Sequence, residues 1–388
     1  MALSSATAPV RSAELRRHNL GLLLGQLRRA PSSRAVLAAT TGLTRATVAS
    51  LLDPLVAAGV LAQGPPSRGG IGRPGRPLWF APTGPVVVGV SVEVDGLVAC
   101  VAGLDGGVVH RMQRHRDHAG MEAAEVFGRA ARDVRALCAR VGRPVVGAGV
   151  AVPAPVRGTG PDAELLRAPN LPLLAGARPA ELFGRVADRP VLVGNEATLG
   201  ALAHLGVASD FVYVSAGIGI GGGIVAGGRV LPGAAGLAGE IGHVVIERDG
   251  RSCGCGGTGC VEQYAALPAL LADAGAGTAA ELRVAVRAGE PAALAALGRA
   301  GAALGTALTS VLHVVDLPVV VLGGSYTPLG DRLAGLVRDE ITRRRPSAAV
   351  EVLVSGHGRP AAALGTARAV TDRVLAEPDL LLTAPHTP

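Results

Sequence analysis

Three cysteines within eight residues, Cys253, Cys255 and Cys260, follow closely on His243 in a stretch dense with glycine. Together they offer one imidazole and three thiolates, the tetrahedral donor set of a structural zinc ion with no position left for water. Cys253 and Cys255 are too close for an unstrained mutual disulfide, and the glycines between them suit a chain folded tightly around an ion. Zinc is therefore the expected cofactor, with free buried thiols as the alternative. It would fix the loop carrying Glu240 and Glu262, orienting both carboxylates without itself doing chemistry. Cys100 and Cys138 read as ordinary core residues.

The 388 residues favour two or three domains over one. Apolar residues make up 49 % but aromatics only 2 %, so the core must be built from Ala, Val and Leu, and a disordered chain is excluded. No apolar run approaches the roughly 20 uninterrupted residues of a membrane span. The N-terminal MALSSATAPV lacks a basic start followed by an apolar run, so a cytoplasmic protein with no membrane partner is expected.

Charge divides the chain. All 37 basic residues are arginine; residues 1–80 carry ten of them against Glu14 and Asp53, a net of +8, and the other 308 residues hold 27 Arg and 28 acids, a net of −1. Such asymmetry points to a polyanion partner for the first part alone. There, residues 12 to 29 read as an amphipathic helix with Leu15, Leu20, Leu22, Leu23, Leu24 and Leu27 on one face. Pro31-Ser32-Ser33 stops it and caps a second short helix from 34 to about 40, with Val36 and Leu37 inward. Gly42 ends that helix. Thr44 caps a third, with Arg45, Thr47 and Ser50 outward, Val48, Leu51, Leu52 and Leu55 inward, and Pro54 as a potential kink.

Helix, glycine turn, helix is the spacing of a helix-turn-helix. Two strands, Val60-Leu61-Ala62 and Leu78-Trp79-Phe80, flank a Gly/Pro/Arg loop that makes a wing. Arg45 is placed to donate two hydrogen bonds to guanine in the major groove of a double-stranded operator, and Arg73 and Arg76, held extended by the prolines after them, to enter a minor groove. The competing reading is an oligomerisation bundle solvated by arginine.

Beyond Pro85 the pattern changes. VVVGVSVEV and LVACVAGLDGGVV read as a buried β-hairpin, followed by a helix over 121–140 and a strand over 145–152. Strands at 191, 211, 221 and 318 and a long Ala-rich helical region over 261–315 repeat the alternation. That is α/β layering in two lobes with a cleft between them.

The Glu-x-Gly-His of Glu240 to His243, followed by Cys-x-Cys-Gly-x-x-Gly-Cys-x-Glu from Cys253 to Glu262, resembles the signature of the ROK family of repressors, open reading frames and sugar kinases. RRHNLGLLL, SSRAVLAATTGLTRATVASLL and GRPGRP resemble the winged helix of its transcriptional regulators. The resemblance implies an α+β winged helix-turn-helix over 1–80 preceding a two-lobed, actin-like (ribonuclease H-like) sugar-kinase fold. Its first lobe would span 86–195, completed by a C-terminal helix at 361–376, and its second 196–360, with the zinc site and a dimer surface. It also implies sugar-hydroxyl contacts from Asn170, Asn195, Glu240, His243 and Glu262, whose amides and carboxylates match vicinal hydroxyls. His243 would bind zinc through one ring nitrogen and the sugar through the other.

Kinases of the family carry Asp-x-Gly-Gly-Thr on the first hairpin, where this chain has Ser91-Val92-Glu93-Val94-Asp95. Valine and an anionic Glu93 replace the glycines that let phosphates approach. The loop from Gly217 to Gly223 and the pair Gly323-Gly324 survive. At the family's Asn-Asp catalytic position stands Asn195-Glu196, which keeps a carboxylate one methylene further out, and His204 replaces a usual glutamate. The expectation is a lost kinase that binds a monosaccharide or derivative: a sugar-responsive transcriptional regulator, repressing until sugar binds, assembled as a homodimer or homotetramer. A DNA-bound sugar kinase using Glu196, or a body that merely dimerises, are the alternatives.

Overall fold

A computed structural model of the protein describes residues 12–66, 75–158, 160–184, 186 and 191–382. The N-terminal module opens with helix α1 (Ser12–Arg29), followed by β1 (Ser32–Ser33), α2 (Arg34–Thr41), α3 (Arg45–Ala57), β2 (Leu61–Gln63) and β3 (Pro77–Phe80). The Ser33 hydroxyl caps α2, the Thr44 hydroxyl caps α3, and Gly42 ends α2 at φ 74°, as their sequence positions require. Val48, Leu51, Leu52 and Leu55 are all buried. Pro54 does not end α3, which continues to Ala57.

Three inward assignments need correction. Leu15 and Leu22 of α1 are exposed because the buried set, Leu20, Leu23, Leu24 and Leu27, follows the i, i+3, i+4, i+7 stripe, and both lie off it. Val36 is also exposed, since the short α2 buries only the Leu37 face. Strand β3 pairs antiparallel with β2 on one side and β1 on the other. Arg68, Arg73 and most of the wing tip lie outside the described residues.

The body contains the same sheet twice. The first comprises β4 (Val86–Glu93), β5 (Gly96–Gly103), β6 (Val108–His115), β7 (Val145–Val152) and β10 (Val191–Asn195), in the order β10-β7-β4-β5-β6. Helix α4 (Ala123–Val141) packs on it; β8 (Val156–Arg157), β9 (Glu164–Leu165) and α5 (Pro179–Phe183) lie between β7 and β10. After α6 (Glu196–Leu202) comes the second sheet: β11 (Phe211–Ala216), β12 (Ile220–Ala226), β13 (Arg229–Val230), β14 (Val319–Gly324) and β15 (Glu351–Val354), ordered β13-β12-β11-β14-β15. In both, the first strand is central and starts an antiparallel meander of three strands on one side, with two parallel strands on the other.

The expected hairpin is thus a three-stranded meander. Residues 104–107 turn the chain, and β6 is a mostly exposed edge strand whose polar sequence hides it. The Ala-rich region is four helices: α7 (Glu262–Ala265), α8 (Leu267–Ala274), α9 (Ala279–Ala288) and α10 (Pro291–Val315). Among the described residues α10 alone is long and apolar enough to cross a membrane, yet 61 % of its most apolar window is buried within the second lobe. Helix α11 (Gly330–Arg344) packs beside it.

Helix α12 (Ala361–Ala376), followed by α13 (Asp379–Leu382), joins these parts. It lies against β4 so closely that a Cβ on Gly89 would fall 2.0 Å from the Ala363 carbonyl oxygen, and against α6 so closely that one on Gly365 would fall 1.8 Å from that of Leu199. At its far end Val370, Val374 and Leu375 share one apolar core with Leu20, Leu23, Leu24 and Leu27 of α1. Gly365→Ala must displace backbone and is expected to cost about 1–3 kcal/mol or more. Gly298→Ala, inside α10 with open space at the Cβ position, should instead stabilise by up to about 1 kcal/mol. Urea denaturation of both variants checks the contrast, and equal responses would refute the close packing.

Candidate functional site: a cleft braced by a cysteine loop

A single 3-10 turn, Ile241–His243, presents His243, and two isolated bridges, Val245 with Cys260 and Ser252 with Thr258, fold the cysteine segment back toward it. Gly259 makes the return at φ 72°, where a Cβ would lie 1.6 Å from the Glu247 carbonyl oxygen. His243, Cys253, Cys255 and Cys260 thereby bring their donor atoms within 4.8 Å of one another, a group that could hold a metal ion. The Gly257 N–H donates to Cys255 Sγ at 3.4 Å and holds that thiol below its ordinary pKa, whereas burial pushes the Cys253 and Cys260 thiols up. Sequence reasoning missed Arg167, which donates to the carbonyl oxygens of Cys255 (2.7 Å) and Gly254 (3.1 Å). It ties the cysteine loop to the segment bearing Asn170.

Beside this loop, between the two sheets, lies a cavity of about 250 Å³ lined by Asn170, Asn195, Glu196, Glu240, His243 and Glu262 among others. The five expected sugar-contact residues meet there, with Glu196 of the expected ligand site among them. Asn170 Nδ2 and Glu262 Oε2 both approach Gly219, within 3.3 Å and 3.0 Å of where its Cβ would be. His243 turns Nδ1 toward Cys253 Sγ (3.8 Å) and Nε2 toward Glu240 Oε2 (3.8 Å), so its two nitrogens face different partners. Asn195 is committed elsewhere. Its Oδ1 caps α6 by accepting from Ala197 N and Thr198 N, and its Nδ2 donates to the Ala154 carbonyl.

The opposite side of the cavity carries a residue that the sequence did not single out. Arg359, in the loop between β15 and α12, donates to both carboxylate oxygens of Asp95 (2.8 and 2.6 Å) and to Glu93. The hairpin where kinases of the family carry a glycine-rich phosphate loop is therefore an internal ion-pair cluster with two carboxylates and one guanidinium. Glu196 faces the same cavity. Burial, then the nearby charge of Glu93, pushes its pKa up to about 8, so at neutral pH it is largely a protonated hydrogen-bond donor. His204 takes no part: it is buried past the end of α6 between the Gly200 carbonyl and the Ser355 hydroxyl, where burial pulls its pKa down to about 4.

In the N-terminal module Arg45, Ser50 and Arg76 are exposed. Thr44 and Thr47 bond each other, Oγ1 to Oγ1 at 2.8 Å, while Thr44 also accepts from Thr47 N, so both serve the helix cap. Arg34 pairs with Asp53 and fixes α2 against α3.

Fold and cleft together define a two-lobed α/β body of the actin-like sugar-kinase class behind a winged helix-turn-helix. A solved ROK family transcriptional regulator, a homologue of the E. coli MLC protein, matches with TM-score 0.75 at 21 % identity over 95 % of this chain and 98 % of that one. A ROK family glucokinase from Streptomyces griseus, solved with glucose and AMPPNP, matches with TM-score 0.65 at 22 % identity over 74 % of this chain and 99 % of that one. The chain belongs to the ROK family, whose model covers residues 87–373. Among its relatives, the xylose repressor of Bacillus subtilis (strain 168) is 27 % identical over 377 residues, 92 % of this chain and 96 % of that protein. The kanosamine kinase of Amycolatopsis mediterranei (strain S699) is 34 % identical over 219 residues, 54 % of this chain and 70 % of that protein.

The state of Glu196 has a measurable consequence. A carboxyl whose folded pKa is about 8 against an ordinary 4.5 binds its proton more tightly folded than unfolded. Its ionisation therefore erodes stability as pH rises through that window, by no more than about 1.4 kcal/mol per pH unit. Glu196→Gln should flatten the decline between pH 5 and pH 8 in denaturation curves. An unchanged slope would show Glu196 already ionised.

Proposed function

We propose that the protein is a sugar-responsive transcriptional repressor in which residues 1–80 read operator DNA and the body senses a monosaccharide without phosphorylating it. One observation carries the reading. The cavity gathers hydroxyl-binding groups on one side while Glu93 and Asp95 outnumber Arg359 where a nucleotide's phosphates would need glycine amides. Carboxylates there repel phosphate, and a protonated Glu196 can donate a hydrogen bond to a sugar oxygen. The xylose repressor likeness puts pentoses first among candidate effectors. In a symmetric dimer, sugar-driven movement of the lobes would alter the spacing of paired recognition helices, which favours a palindromic operator.

Zinc is the metal that suits the cysteine loop. A tetrahedral site with Zn–S near 2.3 Å sets neighbouring donors about 3.8 Å apart, and Cys255 Sγ and Cys260 Sγ stand 3.7 Å apart, Cys253 Sγ and His243 Nδ1 3.8 Å. Held by His243, Cys253, Cys255 and Cys260, the ion would supply rigidity, keeping His243 Nε2 and Glu262 aimed into the cavity. A cytoplasmic location, where thiols stay reduced and available to a metal, is part of this reading.

The likeness to kanosamine kinase sustains a second reading, a DNA-bound kinase with Glu196 as base. Gel shifts on DNA flanking its own gene, with and without a monosaccharide panel, are paired with a coupled ATP assay. Release of operator by one sugar with no ADP formed is expected; sugar-dependent turnover would reject the repressor reading. In the same assay Arg45→Ala should weaken specific binding by about 1–3 kcal/mol and spare random DNA. Equal losses on both would exclude base readout.

Cys255→Ser should eject the metal and weaken sugar binding. Elemental analysis showing zinc retained in the variant, or absent from well-folded wild-type protein, would contradict the assignment.

A further inference from the structure

A second concavity lies away from the cleft. A groove of about 930 Å³ lies where the N-terminal module meets the body, walled by α1 (Arg17, Gly21, Gly25, Arg28, Arg29), by the β5–β6 hairpin (Asp105, Arg111) and by α12 (Arg368, Thr371, Asp372). That volume is ample for a metabolite. Its charges do not cancel. Asp372 is taken by Arg28, Asp379 just outside by Arg17, and Asp105 by its own turn, where it accepts from Gly107 N. Arg29 and Arg111 form no ion pair with a described residue, and Arg368 feels the Asp372 carboxylate only beyond ion-pair distance.

Arg368 is the least comfortable of the three. It spends one N–H on the Leu205 carbonyl (2.8 Å), but its Nε is buried without a hydrogen-bond partner. Burial, then the like charge of Arg28, pulls its pKa down against the opposing pull of Asp372, and an anion in the groove would add to the charge that favours its protonated form. The groove is also kept open at some cost. Gly25 sits in the interior of α1 with nothing within 4 Å of its Cβ position, so packing does not call for glycine there; alanine would favour the helix.

We propose that this groove is a second ligand site, separate from the sugar cleft, that takes a small phosphate monoester. A compact dianion with three terminal oxygens matches the forked donors of several guanidiniums at once. It can also enter a groove enclosed by three elements and reach Arg368. A duplex backbone would meet only the exposed Arg29 and Arg111. Since the walls belong to both the DNA-reading module and the body, an occupant would stiffen their junction.

Calorimetric titration of the full-length protein at fixed ionic strength compares glucose 6-phosphate and glycerol 3-phosphate with glucose and glycerol. The esters should bind wild-type protein, and Arg111→Ala and Arg29→Ala should each weaken them about tenfold. These two exposed, unpaired side chains can be removed without disturbing the fold. Glu262→Gln, in the cleft, should abolish neutral-sugar binding yet leave ester binding intact, which separates this site from the repressor reading. The proposal is overturned if the esters bind no better than their neutral parents, or equally well to both arginine variants. It is also overturned if those variants lose only DNA affinity, with a shallower salt dependence, because the groove rim would then be a backbone contact for DNA.

Discussion

Everything in this molecule leans on the placement of α12. Its backbone approaches β4 at Gly89 and α6 at Gly365 more closely than any side chain would permit, and its far end completes the apolar core of α1. Contacts between backbones leave no rotamer to absorb movement, so a shift of α6 or β4 must be followed by α12 or strain the packing. Both ends of the chain of contacts matter. Asn195 and Glu196 begin α6 in the cavity, Arg359 precedes α12 beside the same cavity, and Leu375 touches the N-terminal module. A ligand closing on the cleft therefore acts on a rigid element that ends at the DNA-reading head.

Within the cleft, two devices set the chemistry. On one wall the cysteine loop stiffens His243 and Glu262, and Arg167 carries that rigidity across to the segment bearing Asn170. On the other, Arg359 draws Glu93 and Asp95 into a closed cluster, and the same carboxylates help keep Glu196 protonated. The interlobe position of Arg359 also makes the cluster sensitive to any change in lobe closure.

Local signals in the sequence were faithful where one element determined its own structure. The caps Ser33 and Thr44, the stop at Gly42 and the buried set of α3 needed only helical geometry, and the cysteine spacing needed only metal chemistry. The errors arose where burial depends on a distant partner. Leu15 and Leu22 look like core until α12 is seen to cover only the other stripe of α1, and β6 hides as a polar edge strand. Arg359 was invisible because it is one arginine among many and its partners lie 264 and 266 residues away. Asn195 lines the cavity, but its amide serves the α6 cap, which its place just before a helix also allowed.

The coupling through α12 is tested most directly by trimming its contact with α1. Operator affinity of Leu375→Ala should be measured with and without the effector sugar, alongside the sugar affinity itself. Sugar binding should survive, while the sugar-induced change in operator affinity, of order 1–3 kcal/mol for a coupled pair of sites, should largely vanish. A full sugar response in that variant would mean that the signal reaches the head by another route.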